Sequence, residues 1–404
     1  MSNEFASISN ALGILKNYYA GPIVSQFNDS CPLYKGAEKG KEKYNGLQVN
    51  RPLKVKRNPG IGATSDGGNL PAIGKQGTTQ AIITARFNYL RFGLTGPMIK
   101  ASQGDKGSFV SIMEYEMKEG MLDLQTDVNR QLFWTGEGRL AVLSAAAVAS
   151  NVITVTGRTL AEDGNKYLDS DVVIDIVDPA TGVVKAAGIT ITLVTGSATA
   201  TVTLSSVITA ALGDIVVRSG AYNQEIQGVR TALDGLTTTI YGINRATFPV
   251  YQGNVVDAAS AQLSLDIMQR AYNETRRRGG DKIDAIFCDF SSERFYNKLL
   301  VSDKRYIGEK VKGDGTFTSV EKSYLEFAGV PVVPDKDATS DFFFMPSASW
   351  KKYVLSELEW ADETGSLLIS QTGADAFETR LRLFANMFPE KPASMARLTG
   401  FVSP

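Results

Sequence analysis

The stretch Asp105–Trp134, DKGSFVSIMEYEMKEGMLDLQTDVNRQLFW, constrains this chain more than any other. Its apolar residues Phe109, Ile112, Met113, Met117, Met121, Leu124, Val128 and Leu132 recur in steps of three and four. Such steps put one continuous stripe along a helix. Glu114, Glu116, Lys118, Glu119, Asp123, Asp127 and Arg130 fall on the remaining faces. Asp105 or Ser108 can cap the start, and Gly136 and Gly138 break the end. A helix of this length reaches roughly 45 Å at ~1.5 Å per residue, whereas helices of compact domains usually run ~10–14 residues. The long core helix of an α+β enzyme would share the pattern. The flanks favour a spine on which separate layers hang: an extended, glycine-rich strand pair precedes it and a β-rich block follows.

The chain has 404 residues, 43% of them hydrophobic and 21% charged, enough for two or three domains around a large core. No apolar run approaches the ~20 residues of a membrane span, and MSNEFASISNALGILKNYY lacks the basic and apolar regions of a signal peptide. A cytosol-like compartment is therefore expected. There is no histidine. That removes Ser–His and Cys–His nucleophilic pairs, histidine metal sites and the commonest general base. Cys31 and Cys288 lie far apart without a CxxC spacing, so buried free thiols are expected and neither a zinc site nor a disulfide framework is. The net charge of −1 does not describe a polyanion binder. Its distribution is uneven: Lys35, Lys39, Lys41, Lys43, Arg51, Lys54, Lys56 and Arg57 face only Glu38 and Glu42 between residues 35 and 57. A nucleic-acid contact, docking on an acidic neighbouring protein and a plain solvated face all remain open for it.

Residues 1–43 read as an arm, with Ile8, Leu12, Leu15 and Tyr19 predicting one amphipathic helix ended at Gly21-Pro22. The polar NDSCPLYKGAEKGKEKYNG that follows must lie on something else. Residues 44–100 predict two extended arms. The first contains QVNRPLKVK; the second is TTQAIITARFNYLRFGLT, where Ala81, Ile83, Ala85, Phe87 and Tyr89 alternate. Between them lies RNPGIGATSDGGNLPAIGKQG. A hairpin needs only ~2–5 loop residues, so a tip this long is functional or mobile. The hairpin reads as polar on both faces. It has little to bury within its own subunit and is expected to be completed by another chain.

Residues 141–220 turn to Val, Ile, Thr, Ala and Gly, with short strands such as DVVIDIV, ITITLVT and ATATVTLS and turns at DPATG and TGSAT. They predict a small all-β sandwich or barrel, structural or decorative in role, outward-facing and able to fold independently. Residues 221–340 alternate helix and strand. Ala258–Arg278 predicts a helix with Leu263, Ile267, Met268 and Ala271 on one face, DAIFCDF a buried strand, and SSERFYNKLLVSD a second helix capped by Ser291. The polar loop RYIGEKVKGDGTFTS then leads to the strand FAGVPVVPD. Residues 341–404 return to strands.

Catalytic signals fail on inspection. GGNLPAIGKQG lacks the spacing of a phosphate loop, and Gln76 stands where a hydroxyl would hold magnesium. FSSERF lacks the nucleophile-elbow glycines. Asp284 and Asp289 bracket a strand rather than pair, and Arg276, Arg277 and Arg278 suit the dipole of a helix C-terminus. No catalytic, cofactor or metal residue is assigned.

The order of elements resembles the major capsid proteins of tailed double-stranded DNA bacteriophages with the Hong Kong 97 fold. RNPGIGATSDGGNLPAIG is similar to the tip of that family's extended loop. SLDIMQRAYNETRRRGGDKIDAIFCDFSSERFYNKLLVSDKRYI with LEFAGVPVVPDKD is similar to its axial domain, and LSELEWADETGSLLISQTGADAFETRLRLFANMFPEKPASMARLTGF to its closing peripheral strands. The resemblance covers nearly all the chain except 141–220. It implies an α+β capsid fold divided into an N-terminal arm (1–43), an extended loop (44–80), a peripheral domain with the spine helix (81–140), an inserted β domain (141–220), an axial domain (221–340) and closing peripheral strands (341–404). It implies a structural protein, not an enzyme, that self-assembles as hexamers and pentamers into an icosahedral shell, in the virion and put together in the bacterial host cytoplasm. The implied partners are further copies of itself, a portal, a separate scaffolding protein and, in some shells, a decoration protein. The shell would enclose double-stranded DNA without reading its sequence, and no membrane is involved. Inter-subunit contacts are expected at Lys54, Lys56, Arg57, Asn58, Gly60, Gly62 and Lys75. The alternative is an encapsulin-type compartment shell. A histidine-free enzyme is the other class, and it would need a convergent pocket. No fused scaffold precedes the arm and the chain starts at Met1, so an N-terminus that is not shortened is expected. Crosslinking through Lys75 is not expected, for want of a partner asparagine or catalytic glutamate.

Overall fold

A helix from Lys106 to Leu132 runs through the middle of the molecule. The computed structural model describes residues 31–97, 106–159, 161–235, 238–300, 325–361, 369–370 and 373–404; for 94 and 106–117 it describes the backbone alone. The expected arm helix at Ile8–Tyr19, the cap at Asp105 and the loop 305–319 lie outside what is described, and Ser108, the other expected cap, falls inside the helix, which already begins at Lys106. Met121, Leu124, Val128 and Leu132 of the predicted stripe are buried. They join one apolar cluster with Phe287, Phe343 and Met345 on one side and Leu381, Leu383 and Met387 on the other. Those residues belong to two different sheets, so the helix is shared between them.

The first sheet has six strands in the order 254–257, 396–399, 342–345, 285–288, 330–334 and 325–327. AIFC and FFFM, at 285–288 and 342–345, are buried at every position. Alternation explains why: Phe287 and Phe343 face the spine cluster, while Ile286 and Phe344 face Met268, Ala271 and Tyr296 of the helices on the other side. Those helices differ from expectation in their starts. The first begins at Leu265, capped by Ser264, whose Oγ accepts from Ile267 N at 3.3 Å. The residues before it are not helical: Ala258 N donates to Thr399 O, a turn follows at Ala259 and Ser260, and Leu263 N donates to Val402 O. The second, Phe290–Leu299, is capped by Asp289, whose Oδ1 accepts from Ser292 N at 2.8 Å, and not by Ser291.

The second sheet is built on the long strand Ala376–Pro389, paired along one edge with Trp350–Trp360 and, past that strand's end, with Ile369–Ser370, and along the other edge with Arg86–Thr95. Residues 341–404 therefore do not act as one set. The strands 342–345 and 396–399 join the six-stranded sheet, and only the stretch between them builds the second.

Residues 139–218 close into a six-stranded barrel, in the ring order 215–218, 139–143, 147–156, 199–210, 184–195 and 173–177. Its first strand, Arg139–Leu143, begins two residues before 141 and places Leu140, Ala141 and Leu143 in the barrel interior. The chain enters at Gly138 and leaves at Gly220, with φ of 91° and 74°. A side chain at Gly138 would meet Ala221 O at 2.9 Å, which is why the two ends can run side by side there.

The hairpin pairs Gln48–Lys56 with Gly77–Thr84. One face is polar as expected. The other corrects the expectation: Val49, Leu53, Ala81 and Ile83 are buried within the chain's own apolar cluster with Ile240, Tyr241, Tyr251, Tyr353 and Phe388. Phe388 stands 5.1 Å edge-on to Tyr241 and 6.1 Å from Tyr353. Truncating so central a ring removes its transfer energy and leaves a cavity. Phe388→Ala is expected to cost about 3–5 kcal/mol in chemical denaturation and to open the hairpin base to limited proteolysis before the rest of the fold.

Candidate functional site

The described residues contain no group of three or more His, Cys, Asp or Glu placed to hold a metal ion. No described helix is long and apolar enough to cross a membrane. The thiols of Cys31 and Cys288 are free, and burial pushes both up. What the fold displays is the far end of the hairpin.

The two strands position it. Lys54 and Lys56 alternate with buried Leu53, so both point off the polar face and are exposed. Arg57 continues the exposed run. Lys75 is exposed on the returning limb. At the tip the two limbs touch. Asn58 Oδ1 accepts from Gly60 N at 2.8 Å. A Cβ on Gly74 would lie 2.3 Å from that oxygen and 2.5 Å from Gly60 N, and a Cβ on Gly60 would lie 2.9 Å from Gly74 N. Only glycines permit this pinch. Gly62 faces Pro71, whose Cγ would be 3.1 Å from a Cβ there. Asn58, Gly60, Gly62 and Lys75 are thus brought together, while Lys54 and Lys56 lie along the stem. Beyond the pinch, Ile61, Leu70 and Ile73 are 83%, 85% and 104% exposed. Sequence reasoning missed these three. The signal was present as isolated aliphatics among glycine, proline and serine, which a soluble loop does not need. The GKQ segment that resembled a phosphate loop runs into the strand Gly77–Thr84, not a helix.

The basic stretch is smaller than its sequence suggested. Arg51 points inward and pairs with Glu42 and Glu390, and Lys39 bonds Glu357 at 2.9 Å. The anchor beneath the stem is aromatic. Tyr241 OH donates to Met387 O and Tyr251 OH to Pro389 O, both at 2.8 Å, and Tyr353 OH to Glu42 at 2.9 Å. Burial pushes all three phenols up, so they remain donors at ordinary pH.

A second joint holds the barrel to the spine, and it is ionic. Arg158 is fully buried. It donates to Glu162 at 3.0 and 2.5 Å, to Arg130 O at 3.2 Å and to Asp337 O at 2.8 Å. Its guanidinium lies 4.7 Å from the Tyr167 ring and 5.2 Å from the Trp134 ring. Arg130, assigned above to a polar face of the spine, is buried as well. It is held by Asp127 at 3.1 Å and by Glu225. Burial favours loss of its proton, but these two carboxylates outweigh it and raise its pKa. Beside them Asn129 Nδ2 bridges Asp335 at 2.8 Å and Asp337 at 2.9 Å. Burial first, and the neighbouring Asp337 second, push the Asp335 carboxyl up to about 6.

No family model matches the chain, and no curated protein matches it by sequence. Solved structures do. A chain of the cyanophage A-1(L) capsid asymmetric unit matches with a TM-score of 0.54 at 13% identity, covering 99% of this chain and 95% of that one. A capsid chain of a native GTA particle covers 92% and 91% at 8% identity, with a TM-score of 0.48. The holo-SrpI encapsulin complex from Synechococcus elongatus PCC 7942 covers 43% of this chain and 56% of its own at 10% identity, with a TM-score of 0.30. The chain has an α+β fold of the phage-capsid kind. The particular likeness that shows it is the one to the cyanophage capsid chain.

Two outcomes test the ionic joint. Arg158→Met removes the buried cation of Glu162 and leaves that carboxylate only the partly exposed Lys166 at 3.3 Å, and is expected to cost about 3–5 kcal/mol of unfolding free energy. Asp335 binds its proton more tightly folded than unfolded, where a carboxyl titrates near ~3.9. Its contribution is therefore fully present below about pH 4 and is lost as pH rises through about 6. Comparing denaturation curves across pH 4–6.5, Asp335→Asn should lack a decline of up to about 3 kcal/mol that the unsubstituted protein shows.

Proposed function

We propose that this chain is the major capsid subunit of a tailed double-stranded DNA bacteriophage, built on the Hong Kong 97 plan and assembling as hexamers and pentamers into an icosahedral shell. The observation that carries the reading is a fold likeness spanning almost the whole of both chains to a capsid subunit. The displayed hairpin supports it: a tip with three exposed aliphatics has a use only against another molecule. The shell encloses DNA passively, and a chain with net charge −1 supplies no strong counterion-release term for sequence-independent binding. A separate scaffolding protein, a portal and, in some shells, a decoration protein complete the particle. Assembly takes place in the host cytoplasm. Nothing specific favours a cellular compartment shell.

Within that plan the sheet around 376–389 with the spine is the peripheral domain, the six-stranded sheet the axial domain, and 44–80 the extended loop. The barrel is the inserted module. Its boundaries move to the two glycines: replacing Arg139–Ser219 with a short Gly-Ser linker is expected to leave the remainder soluble and folded. A narrower cut beginning at Ala145 would strand Leu140, Ala141 and Leu143 without their barrel. An insoluble remainder from the wider cut would place the barrel in the structural core.

The extended loop docks on the adjacent subunit through Asn58, Gly60, Gly62 and Lys75 at the pinch, with Ile61, Leu70 and Ile73 beyond it. Lys54, Lys56 and Arg57 add ion pairs of ~0–1 kcal/mol each to an acidic surface there. The triple reversal Lys54→Glu, Lys56→Glu and Arg57→Glu should leave the circular dichroism and melting midpoint unchanged and cut particle yield at least tenfold by light scattering and negative-stain imaging. Normal particles from that variant would exclude the docking role. An unsubstituted protein that stays monomeric at high concentration, with its scaffold supplied, would overturn the capsid reading itself.

A further inference from the structure

The outer face of the barrel is unlike the rest of the surface. Three neighbouring strands of the ring, 147–156, 199–210 and 184–195, build it. The chain as a whole is 21% charged, yet no charged residue occurs from Leu140 to Gly157 or from Ala186 to Gly213. The one charge on the three strands is Lys185, and it is bound to Asp214 at 2.7 Å. Leu193, Thr203 and Val152 stand side by side across the strands. Leu193, Val152, Val148 and Val207 are 52%, 41%, 77% and 62% exposed. Threonine and serine fill most of the remaining outward positions. In ring order the central strand, 199–210, lies three places from 215–218 in either direction. The end of that last strand reaches the spine through Arg218 and Asp127 at 3.3 Å, and the strand 147–156 runs at its own end into Arg158, which is bound to the body as well. The four exposed aliphatics of the face are left uncovered by the chain's own body.

Charge decides what can cover such a face. Sheet surfaces left in water normally carry charges that keep copies apart. A charged partner would lose hydration here and receive no countercharge in return. A second copy of the same face brings no charge, meets no like-charge repulsion, and matches hydroxyl and aliphatic rows with its own kind. The closed ring has no free strand edge, so addition of a strand is not available, and contact must be side chain to side chain. We propose that this face is a contact between two copies of the chain, barrel against barrel about a two-fold axis. The inference rests on the reading of the chain as a self-assembling subunit, and adds which surface of the barrel joins which partner.

Cysteine placement tests it. Native Cys31 and Cys288 are fully buried, so thiols added to the surface react alone. Val207→Cys and Thr201→Cys lie on the face. Asp169→Cys, exposed on the loop between the strands 147–156 and 173–177, is the control. Mild oxidation of assembled particles with copper phenanthroline should give a dimer band on a non-reducing gel from at least one of the two face variants and none from the control. The pair Leu193→Glu with Val207→Glu should keep the melting midpoint within a few degrees and reduce particle yield at least tenfold. Absence of the disulfide from both face variants, or normal assembly of the Glu pair, overturns the proposal while leaving the shell reading intact. If the unsubstituted protein forms no particles, the shell reading fails instead, and the same oxidation of concentrated subunits still reads the contact.

Discussion

The buried stripe Met121, Leu124, Val128 and Leu132 is the constraint on which the body depends, because one helix face serves two sheets. Phe133 continues it, edge-on to Phe287 at 6.0 Å and 6.1 Å from Phe343. Neither sheet covers its inner face with its own strands alone. Each stripe residue, worth ~1.5–3 kcal/mol of burial, therefore acts on both layers at once. The stripe also brings a cost. A helix wrapped on several sides buries residues beyond one face, so Asn129, Arg130 and Gln131 lose water too. Each must find partners inside, and the partners found are Asp335, Asp337, Asp127, Glu225 and Asn88.

Two appendages leave this body, and they are held by different physics. The hairpin rests on an aromatic and aliphatic anchor around Phe388, which is non-directional. The barrel is fixed by Arg158, whose planar fork sets direction as well as energy, with Arg130 beneath it. A joint made of rings tolerates a small pivot without losing burial. A joint made of a buried guanidinium does not, since each broken bond leaves a charge in an apolar setting.

The sequence was informative where one periodicity dominated. The spine stripe, the alternation at Ala81 and Ile83, the buried strand AIFC and the β-rich block around 141–220 could all be read directly. It was uninformative where a residue's role depends on partners far along the chain. Nothing near residue 83 announces Tyr241 or Phe388, so the hairpin read as polar on both faces. Arg130 read as a surface charge because Glu225 lies 95 residues away. The strands 342–345 and 350–360 are nearly adjacent in sequence and enter different sheets. Propensity carries no trace of that change. At the tip, residue types were legible as glycines and prolines, but the pinch that makes Gly60 and Gly74 necessary is a contact across the loop.

That pinch bears on why the tip remains unfinished in a single subunit. Closing the two limbs at Gly60 and Gly74 shortens the free loop to the residues between them, which lowers the entropy cost of ordering them. The chain thereby holds the closed lobe in a defined shape, yet sets Ile61, Leu70 and Ile73 on its outside. A loop folding for its own stability would turn such side chains inward. Ordering the backbone while leaving the apolar groups in water makes sense when their burial comes later, against a surface the subunit does not itself possess.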